Sequence, residues 1–361
     1  MTAYWLLFLY PLLGQVWRTR FTNFHDRLAW GTLVFVWVLV IGFRIEIGCD
    51  WDGYLQLYNN FRSHGNFGDL TLNDSTWFTL FNWDPGYVAI TWISAKLGFG
   101  IYGVNIACGA LIVFGLSAFC RKIPLPWLAW LIATPYFLTV VTMGYSRQAV
   151  AVGLLFWGLS FLIDNRRSKF IAMVLLAALF HKTAVFLLPI GILPWLVQAP
   201  RFLLPASILF FLSIIWVAPY LANYLVKSPY YSDGASVRVL LNGLPAILLI
   251  LLRKQWPGPK FDYSNSWFLI ALASITSIFL VWFASTAVDR IGIYFLPIQV
   301  YVWSTLPSLS IVKERRLSRA MTAFIVLLYG LTFFVLLNFA YHKECWVPYR
   351  NLLLDIFSGN L

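Results

Sequence analysis

Five short clusters between apolar stretches hold most of the buried-looking ionisable residues: Arg44 to Asp52, Asp84-Pro-Gly-Tyr87, Arg147-Gln148, Phe180-His181 and Asp289-Arg290. Arginine binds phosphate or carboxylate as a planar fork. A carboxylate beside an arginine can accept a hydroxyl proton once burial tunes its pKa. Arg44, Arg147, Arg290 and Arg350 therefore read as a diphosphate-binding set, with Asp50, Asp84 and His181 as candidate catalytic groups. Tyr54, Tyr87, Gln148 and Asp289 lie beside them and read as sugar contacts.

Each cluster also has a plainer explanation. Asp84 before Pro85 has the form of a helix N-cap with proline at the first helical position. Arg44 follows an apolar stretch, where arginines commonly snorkel to the interface. His181 stands in an apolar run like a satisfied core residue, yet the adjacent Lys182 requires an anion or carboxylates nearby at depth. Asp289-Arg290 and Trp346-Val-Pro-Tyr349-Arg350 can each form a local salt bridge of small weight. Arg147 is different, because an arginine serving only as a topology anchor belongs on the inner side.

The elements that must position these groups are apolar. The 361 residues are 60% hydrophobic and 19% aromatic but only 11% charged, with mean hydropathy +0.76, which excludes an ordinary water-soluble globule. Stretches near 3–17, 28–43, 102–120, 126–143, 148–163, 169–181, 183–198, 202–223, 237–252, 267–287, 291–310 and 320–341 predict an all-α polytopic protein of about 12 spans in one membrane domain, 1–361. The first run is read as a retained helix, since no cationic segment precedes it and no cleavage site follows. The short stretches flanking His181 read as half-helices or broken helices sheltered by neighbours.

Residues 44–101 form an outer loop, and Pro85 to Leu97 within it reads as a re-entrant or interfacial helix. On this topology 16 of the 26 Lys and Arg lie inside with 4 of the 14 acidic residues, which places the whole excess of +12 in the cytoplasm. All five clusters then share the outer side. The basic residues lie in short inter-span clusters and not on one soluble face, so topology and not nucleic acid explains the charge. The cysteines show no metal-ligand or redox spacing; Cys49 and Cys345 share the outer compartment but read as two unconnected thiols, with pairing as the alternative. The loop's Asn, Asp and aromatic residues suit sugar contact or an interfacial belt. There is no Gly-rich phosphate loop, so a glycosyl donor would be lipid-linked.

In their order along the chain, Phe43 to Asp50 with Tyr54, Asp84-Pro-Gly-Tyr87, Ser146-Arg-Gln148, Ala177 to His181, Asp289-Arg290 with Tyr294, and Pro348-Tyr-Arg-Asn351 resemble the EpsG family of Wzy-like exopolysaccharide and O-antigen polymerases. The chain departs from the family at Asp84, where glutamate is common, and at Cys49, where threonine is. The resemblance implies a GT-C-like, metal-independent glycosyltransferase in the bacterial inner membrane, with its active site facing the periplasm and needing no cofactor. It would transfer a growing glycan from undecaprenyl diphosphate to the non-reducing end of a second lipid-linked repeat unit. Its partners would be those lipid-linked donor and acceptor glycans, membrane lipid and a chain-length regulator, but no nucleic acid. Competing readings are a transferase adding one sugar from a polyprenyl monophosphate, a lipid-oligosaccharide flippase or transporter, and a membrane acyltransferase using His181.

Overall fold

The computed structural model describes residues 1–17, 23–64, 84–196, 234–256, 262–312 and 314–358, together with single positions between 201 and 232. The described residues are helical, apart from connections and one antiparallel bridge between Arg44 and Asn351. The helices are α1 (Thr2–Trp17), α2 (Asn23–Gly42), α3 (Trp51–His64), α4 (Pro85–Leu97), α5 (Gly100–Cys120), α6 (Pro126–Gly144), α7 (Ser146–Ile163), α8 (Arg167–Phe180), α9 (Leu188–Leu196), α10 (Ala235–Leu251), α11 (Asp262–Leu280), α12 (Ser285–Gly292), α13 (Leu296–Thr305), α14 (Arg315–Phe339) and α15 (Leu352–Ser358).

Five of these, α2, α5, α6, α7 and α14, are long and apolar enough to cross a membrane, and the chain is a multi-pass membrane protein. Helix occurs at every expected apolar stretch except 202–223, which lies outside the described residues apart from single positions. α6 and α7 are the most enclosed, and α5 meets α7 at glycines. A Cβ on Gly115 would lie 2.0 Å from the Gly153 carbonyl oxygen, so the two backbones touch there. Trp30, Trp127 and Trp130 pack edge to face beside this pair, with Trp30 Nε1 donating to Ser117 Oγ at 2.8 Å.

The helices carry unlike charge at their two ends. Lys122 meets Asp164, Asp26 accepts from Trp127 Nε1 at 3.0 Å, and Arg121 lies over Trp30, all at the ends carrying the basic clusters. Arg147 opens α7, whose 18 residues carry the chain roughly 27 Å to Asp164. Arg44 follows α2, His181 follows α8 and Cys345 follows α14, each at the helix end away from its basic residues. The expected one-sidedness is therefore a property of the helix ends.

Three local features go beyond simple spans. α6 widens into a π-helical stretch at Thr134–Val141, begun by Pro135, where Thr139 and Thr142 hydroxyls donate to the carbonyls of Thr134 and Phe137. The segment after α2 contains α3, not anticipated as a helix, which buries Trp51, Tyr54, Leu57, Tyr58 and Phe61 along one face. The α8–α9 region breaks at His181, where the chain becomes extended and continues as a 3-10 turn, Lys182–Leu187. No proline or glycine forces that break. It is held by tertiary hydrogen bonds.

Candidate active site

Asp84 explains the break. It stands at the N-cap position of α4 with Pro85 behind it, but its carboxylate makes no capping bond to its own helix. Oδ1 instead accepts the Lys182 amide at 3.1 Å, satisfying a backbone N–H that the broken helix leaves open. Oδ2 accepts from Arg147 Nη1 at 2.9 Å. The capping explanation thus accounts for the position of Asp84 but not for its side chain, which is 2% exposed and spent on other elements.

His181 is buried, with Nδ1 2.6 Å from Thr183 Oγ1 and 2.9 Å from the Tyr294 hydroxyl; those two oxygens lie 3.0 Å apart. This triangle joins the broken helix to the 3-10 turn Ile293–Phe295. Arg147, Arg290 and Lys182 are the charged groups whose fields reach the imidazole. Thr183 gave no warning in the sequence, being one more small residue in an apolar run.

Arg44 is placed differently from expectation. It is 1% exposed, and its guanidinium points inward, donating to the carbonyls of Ile41 at 2.7 Å and Ile47 at 3.4 Å and to Ser146 Oγ at 2.8 Å. A cation at the C-terminus of α2 complements the helix dipole while fastening the loop to the start of α7. Tyr54 and Tyr87 are likewise buried, with ring centroids 5.1 Å apart, so neither faces the polar cavity described below. Arg350 is half-exposed and pairs with Glu46 at 2.6 Å, at the loop's rim.

Asp50 ends the loop just before α3. Asp50 keeps an exposed face, yet desolvation by the surrounding protein pushes its carboxyl above the usual aspartate range, while Arg290 and Arg147 pull it part of the way back. The loop's shape depends on Gly48, at φ 101, where a Cβ would lie 2.1 Å from the Met143 carbonyl oxygen. Its neighbour Cys49 is bonded to Cys345, so the reading as unconnected thiols is corrected: two segments 296 residues apart meet here.

A polar cavity of about 570 Å³ opens between the π-helical stretch, α12 and the segment 340–347. Arg290 lies along it with its guanidinium 4.6 Å from the Tyr145 ring centroid, and the Arg290 carbonyl accepts from Gln148 Nε2 at 2.5 Å. Asp289 is gripped by Arg238, Nε to Oδ1 at 2.7 Å and Nη2 to Oδ2 at 2.8 Å, and accepts from Ser232 Oγ at 2.8 Å. Arg238 escaped sequence reasoning because it sits at the edge of an apolar helix. A cation in the first turn of α10 opposes the helix dipole, and that was the available signal for a carboxylate partner.

On the other side of α12 lies an apolar groove of about 450 Å³ with Phe186, Leu272, Val288, Ile291 and Tyr294 among its walls. α12 is therefore a two-faced partition: Asp289 and Arg290 line the polar cavity, Val288 and Ile291 the groove.

With this geometry in place, the EpsG family model matches residues 27–351, nine-tenths of the chain. The chain belongs to the EpsG family. No curated protein and no solved structure matches it. The EpsG match runs from Arg27, within α2, through Asn351 and so includes every residue of the candidate site. EpsG membership gives the chain a general role in polysaccharide polymerisation, in keeping with a multi-pass protein.

Proposed function

We propose that the chain is a polysaccharide polymerase that transfers a glycan from undecaprenyl diphosphate to the non-reducing end of another lipid-linked repeat unit, at the outer face of the bacterial inner membrane. The observation that carries this reading is the convergence of charge from three distant parts of the sequence: Arg290 lies in the wall of the polar cavity, and the fields of both Arg290 and Arg147 reach the Asp50 carboxylate. Arg147 and Arg290 supply positive charge for a departing diphosphate, which is where charge develops as the glycosidic bond to phosphate breaks. Asp50, with its raised carboxyl, takes the acceptor hydroxyl's proton. Diphosphate is a good leaving group, so the arginines can do without a metal or a general acid.

The aromatic and hydrogen-bonding walls of the cavity, Tyr136, Tyr145, Trp346, Asp289 and Thr286, suit sugar rings and hydroxyls. The adjoining groove suits a polyprenyl chain, so one amphiphile has room for both of its parts. Arg44 takes a positioning role in place of a diphosphate contact, and His181 holds the broken helix through Nδ1. The resemblance-based architecture of about 12 spans and GT-C type accompanies this proposal, as does the chain-length regulator as partner.

The deciding experiment incubates purified protein with a synthetic polyprenyl-diphosphate repeat unit and EDTA. A ladder of products is expected. A single added sugar from a polyprenyl monophosphate donor would instead establish the rival transferase, and movement of the lipid across vesicles without chemistry would establish a flippase.

A further inference from the structure

We propose that the Cys49–Cys345 disulfide is a positioning device that registers Asp50 against the wall of the polar cavity, so that glycosyl transfer requires the oxidised chain. The proposal rests on the reading of Asp50 as the base. Cys49 immediately precedes Asp50, and Cys345 immediately precedes Trp346, which lines the cavity. The bond therefore joins the base to the wall through one residue on each side.

The rest of the geometry shows why the loop needs such a tie. Between Phe43 and Trp51 the chain forms no regular element, and Glu46 and Gly48 both have positive φ. A backbone of that kind keeps its shape only when its surroundings over-determine it. The anchoring segment is itself fixed in the core. Tyr4 donates to the Trp346 carbonyl at 2.7 Å, and Trp346 Nε1 donates to the Val140 carbonyl at 3.3 Å. Backbone bonds continue the lacing, from Gly48 N to Cys345 O at 2.7 Å and from Ile45 N to Arg350 O at 3.1 Å. Of these ties the disulfide is the covalent one and the nearest to Asp50. Arg147, Arg290, Tyr54 and Tyr145 are the titratable groups whose fields reach Asp50, and all but Tyr54 lie outside the loop and helix that carry Asp50.

Reduction by dithiothreitol cleaves the S–S bond to two thiols and leaves the reagent as its cyclic disulfide. The test compares the full chain in vesicles with Cys49→Ser/Cys345→Ser. In the double variant kcat should fall about tenfold while KM for the lipid-linked substrate changes by less than about twofold, the pattern of a misplaced catalytic group. The acid limb of the pH profile should move to lower pH as the loop opens to water. Dithiothreitol should reproduce both effects in the wild type and do nothing to the double variant. Amide exchange over residues 44–54 should quicken on reduction, a readout that needs no activity.

Free thiols at both positions in protein purified without reductant would overturn the proposal. So would unchanged kcat and pH profile in the double variant, or unchanged exchange on reduction. If the wild type makes no polymer in any form, the functional reading fails, and exchange alone then decides the tether.

Discussion

Arg147 Nη1 donates to Asp84 Oδ2 at 2.9 Å while the other oxygen of that carboxylate holds the Lys182 amide, so a cation expected to meet substrate is also the counter-charge of a buried acid. Substituting either residue alone therefore changes more than chemistry. Arg147→Ala should abolish polymer and also destabilise the protein by about 3 to 5 kcal/mol, because it strands a buried carboxylate. Asp84→Asn/Arg147→Gln should recover much of that stability without recovering polymer. Thermal melts in detergent beside polymer gels separate the two losses; full stability in Arg147→Ala would refute the counter-charge role.

Arg290 offers a second test. It is half-buried, its guanidinium lies over Tyr145, and its backbone, not its side chain, serves Gln148. Arg290→Ala removes the cation–π contact with Tyr145 and should remove polymer. Arg290→Lys should restore only part of the activity, since an ammonium lacks the fork. Wild-type polymer levels in Arg290→Ala would sink the diphosphate assignment.

The pH dependence has a defined sign. A general base must be unprotonated, and partial desolvation lifts the Asp50 carboxyl above the ordinary aspartate value of about 3.9. Activity should therefore fall, as pH is lowered, earlier than an ordinary aspartate would require, and Asp50→Asn should lose both activity and that limb. An acid limb retained in residual Asp50→Asn activity would assign the base elsewhere.

Gly153 tests whether the α5–α7 contact positions the site. A Cβ there would lie 2.6 Å from Ile112 Cα. Gly153→Ala should cost about 1 to 3 kcal/mol as the helices separate, and polymer yield should fall because α7 carries Arg147 and Gln148. Gly31→Ala, which meets nothing within 4 Å, is the control and should behave as wild type.

Asp289 should respond to its hidden partner. Arg238→Ala removes both fork bonds and leaves the carboxylate with Ser232 in the cavity wall. Polymer should fall to a small fraction, and Arg238→Ala/Asp289→Ala should be more stable than Arg238→Ala alone. A double-mutant cycle with no coupling energy would refute the pairing.

The sequence by itself determined the apolar helices, the break near His181, and the gathering of Asp50, Asp84, Arg147, His181, Asp289 and Arg290 at one end. Membrane cost controls all three: long apolar runs must span, basic clusters sort to one side, and expensive charges are kept only where they serve. α3 was legible in the three-to-four-residue spacing of Trp51, Tyr54, Tyr58 and Phe61, but polar neighbours made that stretch resemble a loop. Only the tertiary structure decided which way each charge points. Arg44 turns inward to bind carbonyls and Ser146, Tyr54 and Tyr87 close on each other, and Arg238 finds Asp289 fifty-one residues away. It also decided that Cys49 meets Cys345. Hydropathy fixes the depth of a residue along a span, whereas the rotation of each helix and its choice of neighbour follow from close packing between distant segments, which residue order does not record.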